Sequence, residues 1–313
     1  MNTASLPLVS VVIPTYNHAD FLREALESLV AQTFSNWEAL VVNNYSEDNT
    51  LDVVGAFNDP RIRVENFRNN GIIGASRNRG IRLSRGKYIA FLDSDDKWYP
   101  EKLSHCVCCL DQGADLVCHD LRNIGTREGI VHCGPKQRAT FDALLERGSC
   151  IVPSGTLVRK SILDSVGGFS ENPAFVTSED YHLWIKLAQA QAEMVFLKEI
   201  LGEYRVHPGN LSGSILSHMK SALSVTDDFL QTDSSSRLKS RLRARRCKAL
   251  IYYGAGRSLQ ASGQYAEAWQ LFFTSLKLWP FNARIYAGIV LNCIAWMRIQ
   301  CRLLAQGVYR GWF

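Results

Sequence analysis

The chain has 313 residues, of which 46% are hydrophobic and 21% are charged, and its 35 Lys/Arg against 30 Asp/Glu give a net charge of +5. This length and composition fit one large domain, or a domain with an appendage, and exclude a chain that is disordered over most of its length. No apolar run reaches the ~18 residues of a membrane span. The segment before Pro14 has no basic stretch followed by a long apolar one. We therefore expect no transmembrane helix and no signal peptide.

Strand and helix patterns alternate in the first hundred residues. We predict strands at 9–13, 37–42, 62–66 and 88–92, and helices at 21–32, 50–57 and 74–84. Alternation of this kind predicts crossover connections and a mainly parallel sheet. Such sheets bind ligands beyond the carboxyl ends of their strands. The polar clusters at 14–17, 43–46 and 93–96 all follow predicted strands.

From residue 216 the pattern is helical throughout. Residues 237–255 predict a basic amphipathic helix, and 252–280 resemble a single tetratricopeptide-like helix pair. One such pair cannot bury its own apolar face, so we expect it to dock on the body. The apolar run 285–297 predicts a packed or an interfacial helix. We therefore predict two domains, residues 1–215 and residues 216–313.

The charge is unevenly distributed. Residues 216–313 contain 14 Lys/Arg and 4 Asp/Glu, which is +10, so residues 1–215 carry −5. An acidic body with a basic tail favours a tail that meets an anionic partner such as lipid headgroups. A solvated basic helix without a partner is the alternative. No nucleic-acid-binding motif is visible, so we expect no nucleic acid.

Nine cysteines are present. An odd count in a long chain without a secretion signal indicates reduced thiols in a cytoplasmic protein. Cys106, Cys108 and Cys109 lie close together but lack the paired C-x-x-C spacing of a zinc site.

Three carboxylates, those of Asp93, Asp95 and Asp96, lie within four residues after a predicted strand. They repel one another unless a cation or hydrogen bonds neutralise them. Hard divalent metals take oxygen ligands, usually one or two carboxylates with phosphates and water. The Asp-x-Asp pattern is thus placed to hold a metal–diphosphate. A solvated acidic turn is the alternative.

Four motifs carry a family resemblance. They are VSVVIPTYN (9–17), ASRNRG (75–80), FLDSDD (91–96) and SEDYHLW (178–184). In this order and spacing the chain resembles a family 2 glycosyltransferase over about residues 8–210. The resemblance implies a GT-A fold, which is α/β and Rossmann-like with a mainly parallel sheet flanked by helices, followed here by an all-α C-terminal appendage. It also implies an inverting, metal-dependent transfer from a nucleotide-diphosphate sugar to a glycan or lipid-linked acceptor.

The resemblance also assigns roles to residues. Asp180 matches the general base, with Glu179 beside it. Asp95 matches a direct ligand of Mn²⁺ or Mg²⁺, and Asp93 lies nearer the ribose and the metal shell. His207 matches a residue that completes the metal site or touches the diphosphate, with a packing histidine as the alternative. The expected nucleotide-sugar contacts are Pro14, Thr15, Tyr16, Asn17, Asn43, Asn44, Ser46, Arg77, Asp93 and Ser94.

Two of these expectations stay open. Many family members have Asp-Asp-Gly-Ser where this chain has Asn43-Asn44-Tyr45-Ser46. Because an amide both donates and accepts hydrogen bonds, asparagine can still pair with uracil, and a UDP-sugar is favoured. Arg77 either contacts the diphosphate or caps the local acidic surface. Residues 151–156 are expected to line the acceptor side, whereas Trp98 and Trp184 are expected in the core.

The resemblance implies a role in bacterial surface polysaccharide or lipopolysaccharide assembly. We expect a cytoplasmic protein, with attachment to the inner face of the cytoplasmic membrane as a further option. One alternative is a sugar nucleotidyltransferase, but residues 14–17 are not the Gly-rich basic loop that such an enzyme needs. Another is a non-catalytic nucleotide-sugar-binding module, which the presence of Asp93, Asp95 and Asp180 disfavours.

Overall fold

The computed structural model describes residues 6–207, 209, 214–231 and 237–305. The chain divides into two compact units, Met1–Leu211 and Ser212–Phe313. The first unit contains the sheet, and the described residues of the second are almost entirely helical.

One nine-stranded sheet forms within the described part of the first unit. Its strands are β1 (Val9–Thr15), β2 (Trp37–Asn43), β3 (Ile62–Asn66), β4 (Tyr88–Phe91), β5 (Lys97–Trp98), β6 (Leu116–Gly125), β7 (Gly129–Val131), β8 (Thr156–Arg159) and β9 (Met194–Val206). Their order is β3-β2-β1-β4-β8-β6-β9-β5, with β7 beside β6. Strands β3, β2, β1 and β4 are parallel, and β6 is parallel to β9, whereas β8 runs antiparallel to both β4 and β6. The predicted mainly parallel α/β sheet is confirmed.

Strand β1 is longer than predicted, because it continues through Pro14 to Thr15. Proline lacks an N–H group and usually ends a sheet ladder. Here β4 pairs with β1 only as far as Val12, so Pro14 lies beyond the paired part on that side. Pairing with β2 continues at this level, with Pro14 opposite Val42.

Helices cover the sheet. Those of the first unit are α1 (Ala19–Val30), α2 (Thr50–Ala56), α3 (Ile73–Leu83), α4 (Lys102–Asp111), α5 (Phe141–Arg147), α6 (Lys160–Ser165) and α7 (Glu179–Gln189). One core cluster combines alternate residues of β1, β2 and β4 with the buried faces of α1 and α4. On α3, Gly80 lies so close to β1 that a Cβ atom there would collide with Val12. Trp98 and Trp184 are buried, as predicted.

The second unit contains α8 (Ile215–Gln231), α9 (Arg237–Ala261), α10 (Tyr265–Leu278) and α11 (Ala283–Ala305). Leu259, Ala268 and Phe272 form its core cluster. Buried positions in α9 begin only at Cys247, so residues 238–246 lack the buried face that the amphipathic prediction gave them. Among these described helices, none combines the length and the apolar character that a membrane span needs.

Candidate active site

The predicted polar clusters meet at the carboxyl edge of the parallel strands, where sheets of this kind bind ligands. The backbone N–H of Asn44, just after β2, donates to the carbonyl oxygen of Thr15 at the end of β1 (3.0 Å). The acidic turn, which we define as Asp93–Asp96, follows β4 at the same edge.

Hydrogen bonds join the loops that follow β1 and β2. The Asn17 N–H donates to Ser46 Oγ (2.9 Å), and the Glu47 N–H donates to Asn17 Oδ1 (2.8 Å). Asn43 is buried, and its Oδ1 accepts from both the N–H (3.0 Å) and the hydroxyl (2.7 Å) of Ser46. Asn43 therefore shapes the loop from inside the protein. Pro14 and Thr15 are also buried.

Two tyrosines project from these loops. The side chains of Tyr16 and Tyr45 are each about half exposed. Tyr45 has a φ of 56°, in the left-handed region that favours glycine. The Arg68 guanidinium carbon lies 5.2 Å from the centre of the Tyr45 ring. The aromatic surface at the predicted nucleoside position thus comes from Tyr16 and Tyr45.

Asp48 supports the same loop, and sequence reasoning missed it. Its Oδ2 accepts from the N–H of Ala19, the first residue of α1 (2.9 Å), and its Oδ1 accepts from the Thr50 N–H (3.1 Å). Burial raises the pKa of Asp48, but hydrogen bonds from Thr50 and Ala19 outweigh it and keep this pKa below its ordinary value. The available signal was an Asp two residues before a helix that starts with Thr50.

The three carboxylates of the acidic turn have separate partners. Asp93 Oδ1 accepts from Arg77 (2.7 Å), Asp95 Oδ2 lies 3.1 Å from His207 Nε2, and Asp96 Oδ1 accepts from the Arg205 N–H (2.8 Å). Asp96 is buried. Burial and then the charges of Asp95 and Asp93 raise its pKa well above the ordinary value. Burial and the charge of Asp93 also raise the pKa of Asp95.

Arg77 of α3 connects the acidic turn to α7. Its guanidinium donates to Asp93 Oδ1 and to Glu179 Oε1 (2.6 Å), and its side chain is only 3% exposed. Burial lowers the pKa of Arg77, but the charges of Asp93 and Glu179 outweigh this effect and raise it. The guanidinium thus bridges one carboxylate of the acidic turn and one carboxylate of α7. Glu179 Oε2 is buried without a hydrogen-bond partner among the described residues.

Asp180 lies next to Glu179 at the start of α7. Its side chain is half-buried, and its Oδ1 accepts from the Tyr181 N–H (2.7 Å). Burial and then the charge of Glu179 raise the pKa of Asp180 to about 7, although the charge of Arg77 acts in the opposite direction. A carboxylate with a pKa near the working pH is well suited to act as a general base.

His207 follows β9 and faces Asp95. Its Nδ1 accepts from the Gly209 N–H (3.1 Å), and its ring centre lies 5.0 Å from that of Phe21 and 5.7 Å from that of His18. His18, which sequence reasoning missed, pairs through Nδ1 with Ser94 Oγ (3.1 Å). The end of β9 thereby completes the surroundings of the acidic turn.

The side chains at the acidic turn fit part of a binding site for a divalent cation. No group of three or more His, Cys, Asp or Glu side chains within the described ranges is arranged to hold a metal, and Asp93 is bonded to Arg77. Asp95 and His207, however, place a carboxylate oxygen and a ring nitrogen 3.1 Å apart. A cation there would offset the burial and the repulsion from Asp93 that raise the pKa of Asp95. Mn²⁺ and Mg²⁺ commonly use one or two protein ligands together with phosphate oxygens.

Sequence comparison identifies a known family. Residues 10–167 match the family described as Glycosyl transferase family 2. Over 227 residues the chain is 30% identical to UDP-Glc:alpha-D-GlcNAc-diphosphoundecaprenol beta-1,3-glucosyltransferase WfgD of Escherichia coli, covering 72% of this chain and 87% of that protein.

Two solved structures share the fold. The crystal structure of S. aureus TarS 1-349 in complex with UDP aligns with a TM-score of 0.61 at 18% identity, covering 97% of this chain and 93% of that chain. Mannosyltransferase PcManGT from Pyrobaculum calidifontis, in complex with GDP-Man and Mn²⁺, aligns with a TM-score of 0.55 at 16% identity, covering 93% and 87%.

The fold and its strand-edge site define a GT-A glycosyltransferase, and the protein is therefore an enzyme. The predicted fold class and enzyme class are confirmed, and the nucleotidyltransferase and the non-catalytic module do not hold. The chain belongs to glycosyltransferase family 2.

Proposed function

We propose that this protein is a metal-dependent, inverting glycosyltransferase. It moves a sugar from a nucleotide-diphosphate sugar, with a UDP-sugar favoured, to a glycan or lipid-linked acceptor in bacterial surface polysaccharide or lipopolysaccharide assembly. The observation that carries this proposal is the link Asp93–Arg77–Glu179, which joins the acidic turn to the helix that carries Asp180. The activity of the Escherichia coli relative WfgD, a UDP-Glc-dependent glucosyltransferase that acts on a diphosphoundecaprenol-linked sugar, supports the choice of donor and of a lipid-linked acceptor.

The donor nucleotide would bind at the paired loops after β1 and β2. Tyr16 and Tyr45 offer aromatic surface to the base, and the amide of Asn44 lies at the same edge. The UDP bound to TarS, which has the same fold, is consistent with uracil as that base.

Asp180 would perform the proton transfer. Its carboxylate accepts the proton of the acceptor hydroxyl while the acceptor oxygen attacks the anomeric carbon. The attack comes from the face opposite the departing diphosphate, so the configuration at that carbon inverts. Oxocarbenium character at the anomeric carbon is expected in such a displacement, as in glycoside hydrolysis.

Asp95 and His207 would hold Mn²⁺ or Mg²⁺, and Asp93 would lie at the edge of the metal shell. When bound, the cation acts as a Lewis acid on the leaving diphosphate. The Mn²⁺ in the PcManGT complex supports this choice of ion.

Asp95→Ala removes the dependence of UDP binding on the cation, together with activity. The reason is that a metal-binding carboxylate is lost, and metal ions typically supply several kcal/mol of transition-state stabilisation. Calorimetric titration of UDP with and without Mn²⁺ measures the effect, with Asp164→Ala, at an exposed carboxylate of α6, as control. Equal affinity with and without Mn²⁺ in the wild type would contradict the metal assignment.

The value of kcat/KM rises with pH through about 7, because Asp180 is a base only when it is deprotonated and burial raises its pKa to about 7. Below that pH the rate falls about tenfold per unit, in proportion to the deprotonated fraction. Glu179→Gln moves the inflection to lower pH, since the charge of Glu179 contributes to the raised pKa of Asp180. A pH–rate profile for both proteins tests this, and a flat profile between pH 5 and 7 would rule out this assignment of Asp180.

We infer the location of the protein, and the membrane as its second partner, from the lipid-linked acceptor and from the charge of residues 216–313. A cytoplasmic enzyme at the inner face of an anionic membrane would meet a lipid-linked acceptor there, and the +10 balance of residues 216–313 favours that surface. Arg245 and Lys248 are already engaged within the second unit, by α10 carbonyls and by Asp227. Trp312 and Phe313, aromatic residues of the type found at the headgroup level, lie outside the described residues.

A further inference from the structure

Helix α11 has an apolar face that points to solvent. At 100° per residue, positions 283, 286, 287, 290, 291, 294 and 297 fall on one continuous arc. Each of these residues is exposed, and the larger ones are 38–55% exposed. They are Ala283, Tyr286, Ala287, Val290, Leu291, Ile294 and Met297. We call this arc the outward face of α11. Surface helices normally bury their apolar side, so the arrangement requires an explanation.

Polar contacts on the opposite side fix the rotation of α11. Asn292 is buried, its Oδ1 accepts from Gln260 Nε2 (3.2 Å), and its Nδ2 donates to the carbonyl oxygen of Tyr265 (3.0 Å). Ile285, on the same side, is also buried. Turning the helix to bury the outward face would break both bonds of Asn292 and leave a buried amide unsatisfied, which is costly. The apolar arc is therefore presented to solvent by the packing of the unit itself.

The charges beside the outward face indicate which kind of partner binds it. The sequence of α11 contains no Asp or Glu, and Arg284 and Arg298 are exposed on one flank of the arc. A second copy of this chain would bring another unit of charge +10 against the first, which opposes pairing through this face. An anionic lipid surface attracts the same charges, and each Lys or Arg near it contributes about 1 kcal/mol.

We propose that the outward face of α11 binds an anionic bilayer surface, with its apolar side chains at the boundary between headgroups and acyl chains. Helices of this type lie in the plane of the interface, and their affinity follows buried apolar area and attraction to anionic lipid. Phe281, which is 82% exposed, precedes the helix, and Tyr286, which is 46% exposed, lies on the outward face. Aromatic side chains of these types are common in interfacial helices and at the membrane interface. The inference names the contact surface of the membrane partner proposed above and does not depend on the transfer chemistry.

The test is sedimentation of the full chain with vesicles of phosphatidylcholine, with and without phosphatidylglycerol. The wild type binds the anionic vesicles, and binding weakens as salt is added. Val290→Asp/Ile294→Asp lowers the partition coefficient at least about tenfold, because two apolar contacts are lost and two repelled charges are introduced. Leu51→Asp, at an exposed leucine of α2, leaves the partition coefficient unchanged. Arg284→Gln/Arg298→Gln lowers it several-fold and reduces its salt dependence.

Thermal melts check that the variants fold. We expect that they do, because the substituted side chains are exposed. Calorimetric binding of UDP, measured on the same preparations, separates this inference from the proposed function, because failure of either readout leaves the other unaffected. Absence of wild-type binding to anionic vesicles at low salt overturns the inference, as does unchanged binding by Val290→Asp/Ile294→Asp. It is also overturned if sedimentation equilibrium shows a dimer that this double variant dissociates, since a second copy would then cover the face.

Discussion

Asp180→Asn lowers turnover by about 10²–10⁴-fold, the usual contribution of a positioned general base. The amide keeps the shape of the side chain but cannot accept a proton at neutral pH. The Asp180 side chain contacts its own helix start through the Tyr181 N–H, so the fold and the affinity for UDP stay unchanged. Turnover and UDP affinity, measured on one preparation, check both parts of this expectation.

Asp164→Asn is the matched control, because Asp164 is an exposed carboxylate that pairs with Lys160 one helical turn away. This variant keeps wild-type turnover. If Asp180→Asn retained more than about a tenth of the wild-type rate, which is well outside the range for a general base, another group would be the base. Glu179 would then be the first residue to test.

Arg77→Ala lowers the free energy of unfolding by about 3–5 kcal/mol, the typical cost of removing one partner from a buried ion pair. The loss is large because Arg77 bonds to both Asp93 and Glu179, and Glu179 is itself only 7% exposed. Without the guanidinium two neighbouring carboxylates face each other with no cation between them. Chemical denaturation measures the change.

Arg79→Ala provides the comparison on the same helix. Arg79 pairs with Glu65 in a half-exposed bridge, which is worth about 0–1 kcal/mol. The destabilisation of Arg77→Ala shrinks in the background Glu179→Gln, because one of the two uncompensated carboxylates is then absent. If Arg77→Ala and Arg79→Ala lowered the free energy of unfolding equally, the buried Asp93–Arg77–Glu179 link would contribute no more to stability than a surface ion pair.

The parallel half of the sheet was predictable because local patterns define it. Strand β3, in which Ile62 and Val64 alternate with polar residues, was predicted at its observed ends, and β2, whose apolar run ends in polar residues, within one residue. No element was predicted between residues 97 and 215. The long strands β6 and β9 pair with register shifts around His119 and Asp120, and β8 joins antiparallel neighbours distant in sequence. No short-range periodicity encodes such pairings.

The candidate site, like the sheet, could be predicted from the sequence only in part. Asp93, Asp95 and Asp180 belong to compact motifs, so the sequence could point to them. Arg77 and His207 were also named from the sequence, but which side chains pair was found only in the structure, because the pairs join residues far apart in the chain. Arg77 and Glu179 are separated by 102 positions, and Arg205 and Asp96 by 109. The pairing of His18 with Ser94 likewise spans 76 positions.

The position of the end of β9 late in the first unit determines the order in which parts of the site become available during synthesis. Arg205 donates its backbone N–H to Asp96 and its Nε–H to the carbonyl oxygen of Asp95, and His207 pairs with the side chain of Asp95. Chains are synthesised and begin to fold from the N-terminus. The acidic turn therefore emerges from the ribosome long before Arg205 and His207, which hydrogen-bond to it. A nascent or truncated chain that stops before Arg205 carries the complete acidic motif in its sequence but not the surroundings observed here.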